Sequence, residues 1–181
     1  ETLSTQDIQL GAMGAIEQAR MLKDGTVSVE EMTRSAIRRA QAGAHLGFID
    51  RPLFEEAVAQ AKRMDEKLKD MTADEREALF AAQPLFGVPT TFKANLSYEG
   101  IPTTYGSRAT GRNPQKETAQ HLQEYLDIGM IPICTTDTSE FGFNGVTEPV
   151  GDAPTVNPHN PEFTAGGSSG GAAVSVSAGV V

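Results

Sequence analysis

The sequence predicts an α/β fold, a mixed β-sheet flanked by helices on both sides. Three observations carry this expectation. Apolar residues recur at helical spacing through the first 83 residues. From Pro84 the composition turns to threonine and β-branched runs punctuated by glycine and proline. Strand and helix patterns then alternate, the order expected of an α/β sheet. The chain thus divides into a helical front, residues 1–83, and the first part of an α/β core, residues 84–181.

In the front, Ile8, Ala12, Ala15, Ile16 and Ala19 mark a first helix. "SVEE" starts a second, with Ser28 as the cap and Glu31 reaching back in a capping box. Its apolar stripe is Val29, Met32, Ala36, Ile37 and Ala40. "HLGFID" has the length of a short strand, and Pro52 is placed to open a third helix with Leu53, Phe54, Ala57, Val58, Ala61, Met64 and Leu68 on one face. "TADEREALF" reads as a further short helix capped by Thr72. The charges on these helices read as a solvated face. In the back, "GVPTTFK" alternates, with Val88, Thr90 and Phe92 on one face and Thr91 and Lys93 on the other. A helix follows from about Glu117 to Ile128, ended by Gly129. "MIPICTT" reads as a buried strand in which Pro132 argues for an edge or a bulge. "DTSEFGF" is one helical turn, and "NGVTEPVGDAPTVNPHNPEFTAGG" is a long loop with four prolines. A helix of small residues starts near Ser169.

Composition bounds the function. A chain of 181 residues fits one domain with a real core. The net charge of −9 without a dense basic cluster argues against nucleic acid or an anionic membrane as a direct partner. Cys134 is alone, which excludes an internal disulfide and a Cys-based zinc site, and it reads as a small buried hydrophobe. His45, His121 and His159 lack ligand spacing, so no metal is implied. No stretch is long enough to span a bilayer and no signal peptide is visible. Glu1 stands where a Met is expected, which points to a trimmed amino terminus. The default expectation is a reduced, cytoplasmic setting.

The stretch with chemical content is "AGGSSGGAAVSVSAGVV". Gly166-Gly167-Ser168-Ser169-Gly170 satisfies G-x-S-x-G, but a nucleophile elbow needs a buried strand running into the turn, and "NPHNPEFTA" is not one. A phosphate loop needs a lysine after the glycines, and the dinucleotide fingerprint fails in spacing. Taken alone, the run is equally a Gly/Ser loop entering a helix, and Lys93 reads as a solvated strand lysine.

The combination changes this reading. "PLFGVPTTFKANLSYEGIPTTYGS", "TTDTSEFGF" and "PTVNPHNPEFTAGGSSGGAAVSVSAG", in this order, resemble the amidase signature family, strongly from about Leu85 onward and more weakly in the helical front. The resemblance implies the amidase-signature α/β fold and a serine hydrolase with a Ser-cisSer-Lys triad. Lys93 matches the catalytic lysine. Ser168 matches the bridging serine on a cis peptide after Gly167. For Lys93 to act as a neutral base, its pKa must fall from about 10.4 towards 7, which takes roughly 4–5 kcal/mol of differential environment. Desolvation is the expected source. Lys93 then draws a proton from Ser168, which draws one from the nucleophile. Ser169 and Gly170 open a helix whose N–H groups favour nearby negative charge. The turn Glu140 to Phe143 commonly lines the substrate pocket in such enzymes, so Gly142 and Phe143, with Ser169, are the expected substrate contacts; core packing explains Phe143 equally well.

In this family the nucleophilic serine lies in a second Gly-Gly-Ser stretch, farther along than the 13 residues that follow Ser168. Ser175 and Ser177 fall inside the predicted helix and are not assigned that role. The expectation is an incomplete amino-terminal portion of an amidase, inactive by itself. A continuing or second polypeptide would supply the nucleophile. Uncovered sheet edges and apolar helix faces would favour partner binding or aggregation, with a homo-oligomer as one form of cover. Ala94 stands where the family usually has Asp, Thr135 where Lys is common, and the stretch Asp65 to Pro84 is longer than usual. Ala94 bears on how the lysine loop is held. The implied activity is hydrolysis of a small-molecule amide through an acyl-enzyme, without cofactor. The amidase subunit of a tRNA-dependent glutamine amidotransferase and a non-catalytic, amidase-like interaction protein are the alternatives.

Overall fold

A computed structural model describes residues 2–181; Glu1 lies outside the described residues. Among the described residues, seven α-helices and three strands follow in the order α1 (Thr5–Gly11), α2 (Ala15–Asp24), α3 (Val29–Ala42), β1 (Ile49–Pro52), α4 (Phe54–Lys69), α5 (Ala73–Ala82), β2 (Pro89–Lys93), α6 (Gln120–Asp127), β3 (Ile131–Thr136) and α7 (Gly170–Ser177). Among the described residues, no helix is long and apolar enough to cross a membrane.

The front differs from its sequence pattern in four places, one being "HLGFID", where Ala44–Leu46 form a 3-10 turn and the strand covers only Ile49–Pro52. The first predicted helix is two, α1 and α2, broken at Ala12 to Gly14. A side chain at Gly11 would run into Arg39 and the Gly179 carbonyl, so the chain must thin there and turn away. Ile8 and Ile16 consequently point to solvent, while Leu10, Ala19 and Leu22 are buried. At α3, Ser28 Oγ accepts from the Glu31 N–H as predicted, but the Glu31 carboxylate turns to Gln6 instead of reaching back. Asp65 of α4 completes the cap, accepting from Val29 N and Glu30 N at 2.8 Å each. Pro52 does not open α4: it ends β1 opposite Cys134, and Leu53 N still donates to Ile133 O, so the helix starts only at Phe54. The α5 cap is as predicted, a reciprocal Thr72–Glu75 box.

The sheet is mixed, in the order β1-β3-β2, with β1 antiparallel and β2 parallel to β3. Pro132 therefore lies in the central strand, not on an edge. The bulge expectation is the one met: pairing runs from Thr90 with Pro132 to Thr91 with Cys134, skipping Ile133. All six residues of β3 are buried. Phe92 packs with Leu53 and Leu122 on one side of β2, and Thr91 meets Ser175 of α7 on the other, so helices cover both sides of this strand. The α3 stripe (Val29, Met32, Ala36, Ile37, Ala40) joins Phe86, Val88, Ile131 and Ile133 in the main core. Full burial of a side chain such as Met32 contributes about 1.5–3 kcal/mol.

Polar clamps tie the front to the end of the chain. Arg39, buried within α3, donates to Gly179 O at 2.6 Å, Val180 O at 3.0 Å, Asp7 O and Ser35 Oγ. Burial lowers its guanidinium pKa to about 10. Asp7 is also buried; Arg38 first, then hydrogen bonds from Ser35 and Ser4, hold its carboxylate well below the usual range. Cys134 is buried and its thiol is pushed up to about 12 by desolvation, as a packing cysteine should be.

Candidate active site

Lys93 is the last residue of β2, and strand alternation decides its direction. Phe92 faces inward against Leu122, so Lys93 projects to the opposite side, where α7 begins. Its Nζ donates to Ser168 Oγ at 2.7 Å, across 75 positions of sequence. Burial pushes the Lys93 ammonium below its ordinary value, the direction a base requires. The Gly167–Ser168 peptide is cis.

One short segment supports both groups. Beyond β3, the buried residues Thr136 to Ser139 pass beneath the site. Thr136 O accepts from Ala94 N at 2.9 Å, just after the lysine. Asp137 O accepts from Gly171 N at 3.2 Å, and Ser139 N donates to Ser168 O at 3.2 Å. Glycine is required at 171 because a Cβ there would strike the backbone of Asp137 and Phe48. The turn before Ser168 is closed by Thr147, whose hydroxyl donates to Gly166 O and accepts from Gly170 N, both at 2.9 Å.

The absence of an acid at Ala94 leaves the lysine loop held by backbone. Ala94 is buried, and its carbonyl accepts from Tyr105 N at 2.9 Å. The next anchor is Asp50 of β1, which accepts from Thr104 Oγ1 at 2.6 Å and Thr135 Oγ1 at 2.7 Å. Asp137 lies in the same acidic neighbourhood. Its carboxyl is pushed up to about 7 by burial first, then by the charges of Asp50 and Asp152.

Of the sequence-predicted residues, the structure brings Lys93, Ser168 and Gly142 together: a Cβ on Gly142 would sit 3.9 Å from Ser168 Oγ. Ser169 caps α7 by position, without a side-chain hydrogen bond, and is exposed. Phe143 is 89% exposed, so core packing does not explain it. Sequence reasoning missed Tyr105 and Phe141, whose rings stack at 6.2 Å and whose backbones both take positive φ, and it missed the supports Asp137, Ser139 and Thr147. An acid directly after a buried apolar strand was the visible signal for Asp137. Among the described residues, no group of three or more His, Cys, Asp or Glu converges as a metal site.

A lysine amine and a serine hydroxyl in hydrogen-bond contact, presented by a strand and a Gly-rich loop of an α/β sheet, form a unit that can pass a proton. The Amidase family model matches residues 31–181, and the chain belongs to this family, the amidase signature enzymes. It is 35% identical over 174 residues to a glutamyl-tRNA(Gln) amidotransferase subunit of Oleidesulfovibrio alaskensis, covering 94% of this chain and 33% of that protein. It is 32% identical over 167 residues to indoleacetamide hydrolase of Bradyrhizobium diazoefficiens, covering 92% of this chain and 30% of that protein. A bacterial aryl acylamidase structure superposes with a TM-score of 0.80 at 26% identity, covering 93% of this chain and 34% of that one. The chain thus spans about a third of the length of the curated relatives it matches.

Proposed function

We propose that this chain is the amino-terminal part of an amidase that hydrolyses a carboxylic amide through an acyl-enzyme. Sequence beyond residue 181, or another chain, supplies the nucleophile serine. The observation that carries the reading is the 2.7 Å contact between Lys93 Nζ and Ser168 Oγ at a desolvated lysine. Neutral Lys93 accepts the proton of Ser168, and Ser168 takes the proton of the nucleophile as its oxygen attacks the amide carbon. The relay then returns a proton to the leaving nitrogen, the C–N bond breaks and an ester remains. Water, deprotonated by the same relay, attacks the ester and releases the carboxylic acid. The role of Ser168 is to conduct the proton while its backbone stays fixed by Ser139 and Thr147. Gly142 borders the path to Ser168, and the exposed Ser169 and Phe143 are available to contact substrate. By this reading residues 1–181 alone are inactive.

The test is labelling of the whole protein with a fluorophosphonate, followed by peptide mapping. The label is expected on a serine outside residues 1–181 and is expected to be lost in Lys93→Ala. A label on Ser168 itself would overturn the bridging role. The similarity to amidotransferase subunits favours a second reading, release of ammonia from glutamine for a tRNA-dependent partner enzyme. Glutamine as the preferred amide among small aryl, alkyl and cyclic amides would select it.

A further inference from the structure

Lys93 and Ser168 come from different elements, so their separation depends on how β2 sits against α7. Among the described residues, β2 is an edge strand whose backbone ladder runs to β3 alone. Its last turn is held from the β3 side through Thr136, and the serine loop is held from the same side through Asp137 and Ser139. Those contacts fix each element to β3 and leave the direct β2–α7 junction to side chains. There, Thr91 Oγ1 and Ser175 Oγ meet at 3.0 Å. Thr91 is two residues before Lys93 on the same face, and Ser175 lies on the inner face of α7, fully buried. The direction of the bond follows from proton counting. Ser175 Oγ donates its single proton to Ala172 O at 2.8 Å, so it accepts from Thr91. The hydroxyl pair is therefore an oriented, satisfied clamp, not an incidental contact between two polar groups. Two rotor-restricted short side chains hold a distance far better than the long lysine side chain does.

We propose that Thr91 and Ser175 are positioning residues that set the approach of Lys93 to Ser168 by clamping β2 to α7. The proposal rests on the reading of Lys93 as the base. Without the clamp, the side-chain hydrogen bond that joins this strand to the serine loop and α7 among the described residues is Lys93–Ser168 alone, and the flexible lysine must then locate Ser168 while its amine gains water.

The experiment measures labelling of the whole protein by an alkyl fluorophosphonate against probe concentration and pH. The variants are Thr91→Val, Thr91→Ser, Ser175→Ala, the pair Thr91→Val with Ser175→Ala, and Lys93→Met. Thr91→Val preserves shape and leaves Ser175 bonded to Ala172, so the protein folds; circular dichroism checks this. The maximal labelling rate is expected to fall roughly 10- to 100-fold, the scale of an ångström-sized misplacement, with the half-saturating concentration unchanged. The acid limb of the rate profile is expected to move to higher pH as Lys93 becomes more solvated. Thr91→Ser restores both, and the double variant is no slower than either single one. Wild-type rates and an unmoved acid limb in Thr91→Val and Ser175→Ala overturn the proposal, and so does a Thr91→Ser variant as slow as Thr91→Val. Full labelling of Lys93→Met overturns instead the base assignment beneath it.

Discussion

Replacing Asp137 by asparagine should flatten the fall in stability between about pH 4 and pH 7. Asp137 is 5% exposed, in the segment that supports Lys93 and Ser168, with its carboxyl raised from 3.8 to about 7 by burial and by Asp50 and Asp152. The unfolded chain releases this proton near 3.8, whereas the folded chain holds it to about 7. In that window the native state binds more protons than the unfolded state, so stability is full below the lower value and is lost as pH rises through the upper one. Each unit of separation is worth about 1.4 kcal/mol. The span from 3.8 to about 7 thus corresponds to a loss on the order of 4 kcal/mol. Asp137→Asn carries no such charge, so the two proteins should unfold at similar temperatures near pH 4, diverge progressively up to about pH 7 and keep the full gap above it. For a chain of this size 1 kcal/mol moves Tm by about 2–4 °C, so the variant should melt roughly 8 °C or more above wild type at pH 8. Thermal unfolding followed by near-ultraviolet circular dichroism at a series of pH values decides it. A wild-type midpoint that stays level between pH 4 and pH 8, or a variant that falls in parallel with wild type, would refute the argument.

The clamps between the front and the chain end give two further expectations. Arg39→Met strips hydrogen bonds from the Gly179, Val180 and Asp7 carbonyls, each costing about 1–3 kcal/mol when left unpaired in the interior, a loss read by urea unfolding. Asp7 works in the opposite sense to Asp137: its pKa is depressed by Arg38, so its contribution is present above the ordinary carboxylate range and lost as pH falls below it. Asp7→Asn should therefore cost stability at neutral pH and narrow its gap to wild type in acid, measured by the same melts.

Much of the fold was legible because local chemistry decided it. The α5 cap, the apolar stripe of α3 and the alternation that turns Lys93 away from Phe92 are set by neighbours within a few residues. The errors share a different origin. Asp65 caps α3 from 35 to 36 residues away, Ile133 extends the strand past Pro52, and the end of the chain crowds Gly11 and breaks the first helix. Each is a tertiary contact with no local signature. The site divides in the same way. The Gly/Ser run and the lysine were visible as motifs, and the contact between them was implied by resemblance. Nothing in the sequence said that Ser139 and Asp137 would hold the serine loop, or that Asp50 would gather Thr104 and Thr135 where Ala94 offers no carboxylate.

The residues from Thr136 to Ser139 carry the lysine strand on one side and the serine loop on the other. A thermal or mutational shift of that segment therefore displaces Lys93 and Ser168 in the same direction. Displacement common to the two cancels in their difference, so a shift of this segment as a whole leaves the gap between amine and hydroxyl unchanged. Such a frame is least forgiving where one arm alone is altered, as at Gly171, whose contact with Asp137 moves the serine without the lysine.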